Sequence, residues 1–197
     1  MVGAMNKNFI LSACMAVAMT FSLPSHAQRL IPKQKGIEVV GSVPLIKGEK
    51  LLAKDNFGVG VSLTRYLKRE NYSFVGVEYE QQNMSYRDYN VKLKDALLQV
   101  GYMQPVLSDR GKNVLLYGGI SALGGYEQLN EDKTLLPDGA TLLDRSRFVY
   151  GGAVHGSVEV FLTDRLLFLV KAQGRLLFGS DVHPFRPALS AGLRFNL

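Results

Sequence analysis

His155, Ser157 and Glu159 are the residues of this 197-residue chain whose types and spacing come nearest to catalysis. A histidine can take the proton of a serine hydroxyl when a carboxylate orients the imidazole, and the serine then becomes a nucleophile. The neighbouring residues argue against that use. Val154, Val158 and Val160 alternate with His155, Ser157 and Glu159, so the valines share one face of a strand and the polar residues the other. A membrane lipid would meet the valines, with His155 and Ser157 pointing away from it. No catalytic residue is therefore expected, and His155 reads as an interior histidine with a satisfied ring. Other chemistry is thinner still. His183 stands near Asp181 without a cysteine or a second histidine at hand, so neither a metal site nor a cofactor is expected. Gly118 to Gly125 has the glycines of a phosphate loop but lacks the Lys-Ser/Thr pair and the helix that such a loop requires.

The elements that position these residues alternate in the same way. From Phe185 to the terminus, Phe185, Pro187, Leu189, Ala191, Leu193, Phe195 and Leu197 share one face, and Arg186, Ala188, Ser190, Gly192, Arg194 and Asn196 the other. A period of two is a strand with one apolar and one wet face. Such a strand at the chain end is the closing and assembly strand of an outer-membrane barrel. Seven further segments alternate: 36–43, 57–67, 72–82, 91–106, 114–127, 145–161 and 166–178. Most are long enough to cross a bilayer as tilted strands. Short connections (68–71, 108–111, 162–165) follow the second, fourth and sixth segments. Longer ones (44–56, 83–90, 128–144) follow the first, third and fifth. Short periplasmic turns alternating with longer external loops are the habit of these barrels. The chain therefore reads as all-β, an eight-stranded antiparallel up-and-down transmembrane β-barrel of the outer membrane. Pro184 and Pro187 lack an N–H, which predicts regular pairing only after Pro187.

Eight strands enclose a lumen that side chains fill. The faces opposite the apolar ones supply Glu78, Glu80, Gln99, His155, Ser157, Glu159, Lys171, Gln173, Arg175, Arg186 and Arg194. Buried charges need partners, which predicts Glu159 pairing with Lys171 or Arg175 across the hairpin. The lumen is expected to be packed and polar, without an open pore. With no tryptophan, Tyr and Phe must form the interfacial belts: Tyr66, Tyr72, Phe161 and Phe195 on the periplasmic side, and Tyr86, Tyr89, Tyr126, Phe148 and Phe178 on the outer side. The in-strand glycines are expected to serve curvature and close packing.

At the N-terminus, a basic stretch with Lys7, an apolar run from Phe9 to Leu23, and Ser25-His26-Ala27 form a secretory signal. The expected organisation is a removed signal over 1–27, a periplasmic tail over 28–35, and a barrel over 36–197. An alternative processing would lipidate Cys14, but too few apolar residues precede it. The formal net charge is +6 with no Lys/Arg run longer than two, which does not support a nucleic-acid stripe. No apolar run reaches the length of a spanning helix.

Leu97-Leu98-Gln99-Val100-Gly101-Tyr102, Leu116-Tyr117-Gly118-Gly119, Phe148-Val149-Tyr150-Gly151-Gly152, Phe161-Leu162-Thr163-Asp164-Arg165 and the Ala191-Gly192-Leu193-Arg194-Phe195 ending resemble the conjugal transfer protein TraO family of Bacteroides-type conjugative transposons. That resemblance implies an outer-membrane component of a mating apparatus, a type IV secretion machine that passes DNA between cells. It brings no catalytic residues. The implied partners are other conjugal transfer proteins in the periplasm and outer membrane, together with outer-membrane lipid. Direct nucleic-acid contact is not expected, since a filled lumen cannot conduct DNA. Candidate partner contacts are Arg29, Lys33 and Lys35 in the tail, and Leu135, Leu136, Leu142 and Leu143 in an unusually apolar interval. The rival readings are a lipid-A-modifying hydrolase built on His155 and Ser157, and a free-standing envelope or adhesion barrel.

Overall fold

The computed structural model describes residues 30–45, 56–86, 89–129, 146–180 and 183–197. The signal, Arg29 and the apolar interval 135–143 lie outside those residues. Eight strands follow in chain order: β1 (Lys35–Pro44), β2 (Phe57–Tyr66), β3 (Tyr72–Tyr86), β4 (Tyr89–Ser108), β5 (Val114–Leu129), β6 (Ser146–Phe161), β7 (Leu166–Phe178) and β8 (Phe185–Asn196). Each pairs antiparallel with its neighbour, and β8 returns to β1, which closes the barrel. The closing seam runs from Gly36 opposite Asn196 to Pro44 opposite Ala188. The Leu197 N–H extends it by donating to the Lys35 carbonyl at 2.9 Å.

Alternation does the sorting. Val59, Val61, Val77, Val100, Val154 and Leu193 are exposed on the outer wall, and their in-strand neighbours point into the lumen. A closed barrel pairs every backbone group within the wall, and an apolar outer surface replaces water with acyl chains. This is an outer-membrane protein that spans the bilayer with strands. An apolar concavity of about 950 Å³ lies on this outer wall, lined by residues such as Val59, Val77 and Leu98.

The structure corrects several sequence expectations. The interval 83–90 is not a long loop: β3 and β4 stay in register to Tyr86 opposite Tyr89. Pairing on β8 begins at Phe185, opposite Leu176, two residues before Pro187. Pro187 loses only its N–H; its carbonyl still accepts from Leu45 N–H at 2.8 Å, and the Pro184 carbonyl accepts from Leu177 N–H at 2.8 Å. The first strand is regular and already includes Lys35. Tyr66, Tyr72 and Phe161 are buried inside the lumen and do not form a lipid belt. Phe195, Tyr126, Phe148 and Phe178 do face outward. The side chains of Tyr86 and Tyr89 lie outside the description.

Close strand approach explains two glycines. A Cβ on Gly151 would meet the Leu176 carbonyl of β7, and one on Gly125 the Ala96 carbonyl of β4. Both obstacles are backbone and cannot swing aside.

At the short-turn end, Asp109 closes the β4–β5 turn. Its carboxylate accepts from Val114 N–H at 2.9 Å and Gly111 N–H at 3.2 Å. Slight desolvation raises the carboxyl, but these backbone donors outweigh it and hold Asp109 below its ordinary value of 3.8. The turn stabilisation is thus complete above pH 3.8 and fades as pH falls through the lower folded-state value. In urea titrations, the gap between wild type and Asp109→Asn should hold steady from neutral pH down to about 3.8 and shrink below it. A gap that stays constant with pH would refute this account.

Candidate functional site

The inward side chains form one polar column in three levels. Nearest the short turns, Arg194 of β8 reaches across the lumen. Its Nε and Nη2 donate to one Glu38 oxygen at 3.0 and 2.6 Å. Nη1 and Nη2 donate to Glu159 at 2.6 and 2.9 Å. The same guanidinium donates to the hydroxyls of Tyr66 at 2.9 Å and Tyr72 at 2.8 Å, and Tyr72 passes its own proton on to Glu159 at 2.7 Å. Its carbon lies 4.3 Å from the Tyr72 ring centroid, a cation–π contact. Lys171 pairs with the other Glu38 oxygen.

At mid-height, Glu78 accepts from Gln99 at 2.8 Å, from Gln173 at 3.2 Å and from Ser42 at 3.3 Å. Glu80 pairs with Arg175 and accepts from Gln82. A second, looser approach joins Arg175 to Glu78 at 3.8 Å. Toward the long-loop end, Arg186 donates to Asp95 at 2.7 Å, to Glu127 at 2.6 Å and to Ser180 at 2.7 Å. Apolar packing fills the remainder. Leu30, Tyr66, Tyr72, Phe74, Met103 and Tyr117 belong to one cluster, and Leu97, Leu123, Val149, Ala153 and Leu177 to another. A polar cavity of about 30 Å³ remains among Glu78, Gln99, His155, Lys171 and Gln173. That is roughly the space of one water, so this section of the lumen has no room for a strand of DNA.

Glu159 pairs with Arg194, not with Lys171 or Arg175. Register is the reason. Ser157 stands opposite Lys171 and Ala153 opposite Arg175 on the hairpin, whereas the narrow lumen lets a long guanidinium span from β8 to β6. The histidine and serine face inward together yet bond elsewhere. His155 Nε2 lies 2.8 Å from Ser121 Oγ, and its ring meets Phe74 edge-on at 5.7 Å. Ser157 donates to Glu159 at 3.3 Å, and that carboxylate is already engaged by Arg194 and Tyr72. Ser157 is 2 % exposed. His183 is exposed, and its carbonyl accepts from Arg186 at 3.2 Å. Among the described residues no His, Cys, Asp and Glu group could hold a metal ion.

On the closing strand, Leu189, Ala191, Leu193, Phe195 and Leu197 face outward, and Arg194 inward. Of the tail candidates, Lys33 and Lys35 are exposed at the short-turn end. The segment preceding β1 is not a free tail throughout. Leu30 is buried against the lumen cluster, and Lys33 N–H donates to the Tyr66 carbonyl at 2.9 Å. Sequence reasoning missed Glu38, Asp95, Glu127, Tyr66 and Tyr72. The signal was present for most of them: Tyr72 shares its parity with Glu78 and Glu80, and Asp95 alternates with the outward Ala96 and Leu98.

No curated protein matches this sequence. Among solved structures, Neisserial surface protein A is 14% identical, with a TM-score of 0.57 over 83% of this chain and 96% of its own. Ail, the attachment invasion locus protein of Yersinia pestis, is 12% identical in complex with the heparin analogue sucrose octasulfate, with a TM-score of 0.52 over 85% of this chain and 100% of its own. Those likenesses establish the barrel fold. The family model for the conjugative transposon protein TraO matches residues 31–197, so the chain belongs to the TraO family of conjugative transposon proteins.

Proposed function

We propose that this barrel is a structural outer-membrane component of a conjugative type IV transfer apparatus, anchoring or scaffolding partner transfer proteins and conducting nothing through its lumen. The observation that carries the reading is the filled column: Arg194 spans the barrel from β8 to β1 and β6, and Tyr66, Tyr72 and Tyr117 pack the end beneath it. A plugged barrel of this width offers partners its rims, its tail and its outer wall, not a channel. The short-turn end, with the segment before β1, faces the periplasm. Arg29, Lys33 and Lys35 supply contacts there, and Leu135, Leu136, Leu142 and Leu143 supply them on the opposite side. Lipid covers the wall, and no step of bond chemistry is assigned.

Outer membranes extracted in mild detergent test this reading. An unboiled band migrating apart from the boiled one, together with co-purified transfer proteins identified by mass spectrometry, is the expected result. A heat-modifiable band without transfer proteins would favour a free-standing envelope or adhesion barrel. Ser157→Ala separates the hydrolase reading. The variant should assemble and support transfer at the wild-type frequency, with the lipid A profile unchanged. Loss of a lipid modification in correctly assembled Ser157→Ala would overturn the structural reading.

A further inference from the structure

Every non-glycine residue held in left-handed backbone, among the described residues, lies at one end of the barrel: Lys33 (φ 74°), Arg69 (φ 58°), Glu70 (φ 64°) and Lys112 (φ 53°). Glycine or asparagine would occupy such positions at lower cost. Three of the four are instead cations, and strained backbone of this kind clusters at recognition surfaces. Charge concentrates at the same end. Lys68 and Arg69 stand on the β2–β3 turn, Arg110 and Lys112 on the β4–β5 turn, Arg165 on the β6–β7 turn and Lys33 before β1, all exposed. Three acids stand among these six cations. Glu70 and Lys112 pair and offset one another; Asp109, whose carboxylate accepts backbone N–H groups of its own turn, and Asp164 are the other two, so the cations remain in excess. The surface is also braced from below, because the Tyr117 hydroxyl donates to the Glu70 carbonyl at 3.0 Å.

We propose that these turns form a preorganised cationic platform that docks an acidic segment of a periplasmic protein. The proposal rests on the periplasmic orientation given above. Charge complementarity selects an anionic partner and speeds its encounter. A polypeptide fits better than a layer of headgroups, because exposed Ile31, Leu67 and Leu162 are interspersed among the cations and give apolar contacts to side chains. Lys35 and Arg65 stand opposite one another on the outer wall, at the edge of this platform.

The test uses the full chain in phosphatidylcholine nanodiscs. The probe is a fluorescein-labelled Glu-rich peptide with interspersed leucines, and a Lys-rich peptide of the same pattern is the control. The acidic peptide should bind, weaken with salt, and bind about tenfold or more weakly to a variant combining Lys68→Gln, Arg69→Asn, Arg110→Gln and Lys112→Asn. Asparagine keeps the left-handed backbone available, and an unchanged heat-modifiable band shows that the variant is folded. Neutralising Lys92 on β4 should leave binding unchanged. Equal affinity of wild type and the platform variant would overturn the proposal. So would peptide affinity in neither phosphatidylcholine nor phosphatidylglycerol nanodiscs alongside preferential insertion into the latter, which would assign the cations to headgroups. Orientation is checked separately: in a Cys14→Ser background, Lys68→Cys should resist membrane-impermeant maleimide in intact cells. Labelling there would sink the periplasmic reading itself.

Discussion

Arg194→Met should destabilise the folded barrel by about 3–5 kcal/mol, the cost of leaving buried charge without its partner. The arginine is wholly buried and is the group that joins Glu38 and Glu159 while donating to the Tyr66 and Tyr72 hydroxyls. Removing it leaves Glu38 with Lys171 alone and Glu159 with the neutral donors Tyr72 and Ser157. Methionine keeps much of the volume, so the loss reports charge more than packing. Urea titration of the detergent-folded barrel, read by the fraction of heat-modifiable band, measures it. Adding Glu159→Gln to Arg194→Met should restore part of the loss, since it removes one of the two stranded carboxylates. A midpoint unmoved by Arg194→Met would mean that water reaches this level of the lumen and screens it.

The second large effect comes from one hydrogen-to-methyl change. Gly151→Ala places a Cβ against the Leu176 carbonyl and the Leu177 backbone of the paired strand. Since backbone atoms cannot rotate out of the way, the β6–β7 pair must part locally. The cost should fall at the upper end of the ~1–3 kcal/mol typical of over-packing. Gly156→Ala, five residues along the same strand, is the matched control, because nothing lies within 4 Å of a Cβ there. Refolding yield and urea midpoint should drop for the first and stay level for the second. Equal behaviour of the two would show that the sheet yields more readily than its register implies.

Most of the architecture was legible because the side-chain period of a strand is two. The turn at Lys68 to Asn71 and the bounds of β7 could be read directly from where alternation stops and starts. What alternation cannot give is distance across the lumen. Glu159 and Arg194 lie 35 residues apart on strands that do not pair, so hairpin logic sent Glu159 to the wrong cation. The interior tyrosines were misplaced for a related reason. Aromatic type suggested the interface, while the parity of Tyr66 and Tyr72 pointed inward, and parity is the stronger physical constraint because the pleat enforces it. For Pro187 the missing donor is half of the account: a strand residue also brings an acceptor, and that acceptor is used. The valines around His155 and Ser157 place both inside; their separate partners, Ser121 and Glu159, depend on spacing within the lumen that alternation does not carry.

The seam between β1 and β8 has a consequence for the order of assembly. Seven of the barrel's strand pairs join neighbours in the chain, and the eighth joins Gly36 to Asn196. Hairpins can form early, but the eighth pair must wait for the last residues and for the entropy of bringing distant segments together. Arg194 sits on that last strand and Glu38 on the first, so their ion pair can form only when the ring shuts. Until then the carboxylates of β1 and β6 remain uncompensated beside an open sheet edge, a state unfit for lipid. Ring closure and the pairing of Glu159 are thereby a single event, and a chain ending just before Arg194 would keep Lys171, Arg175 and Arg186 for the other carboxylates but leave Glu159 without its cation and Gly36 to Glu38 without partners on β8.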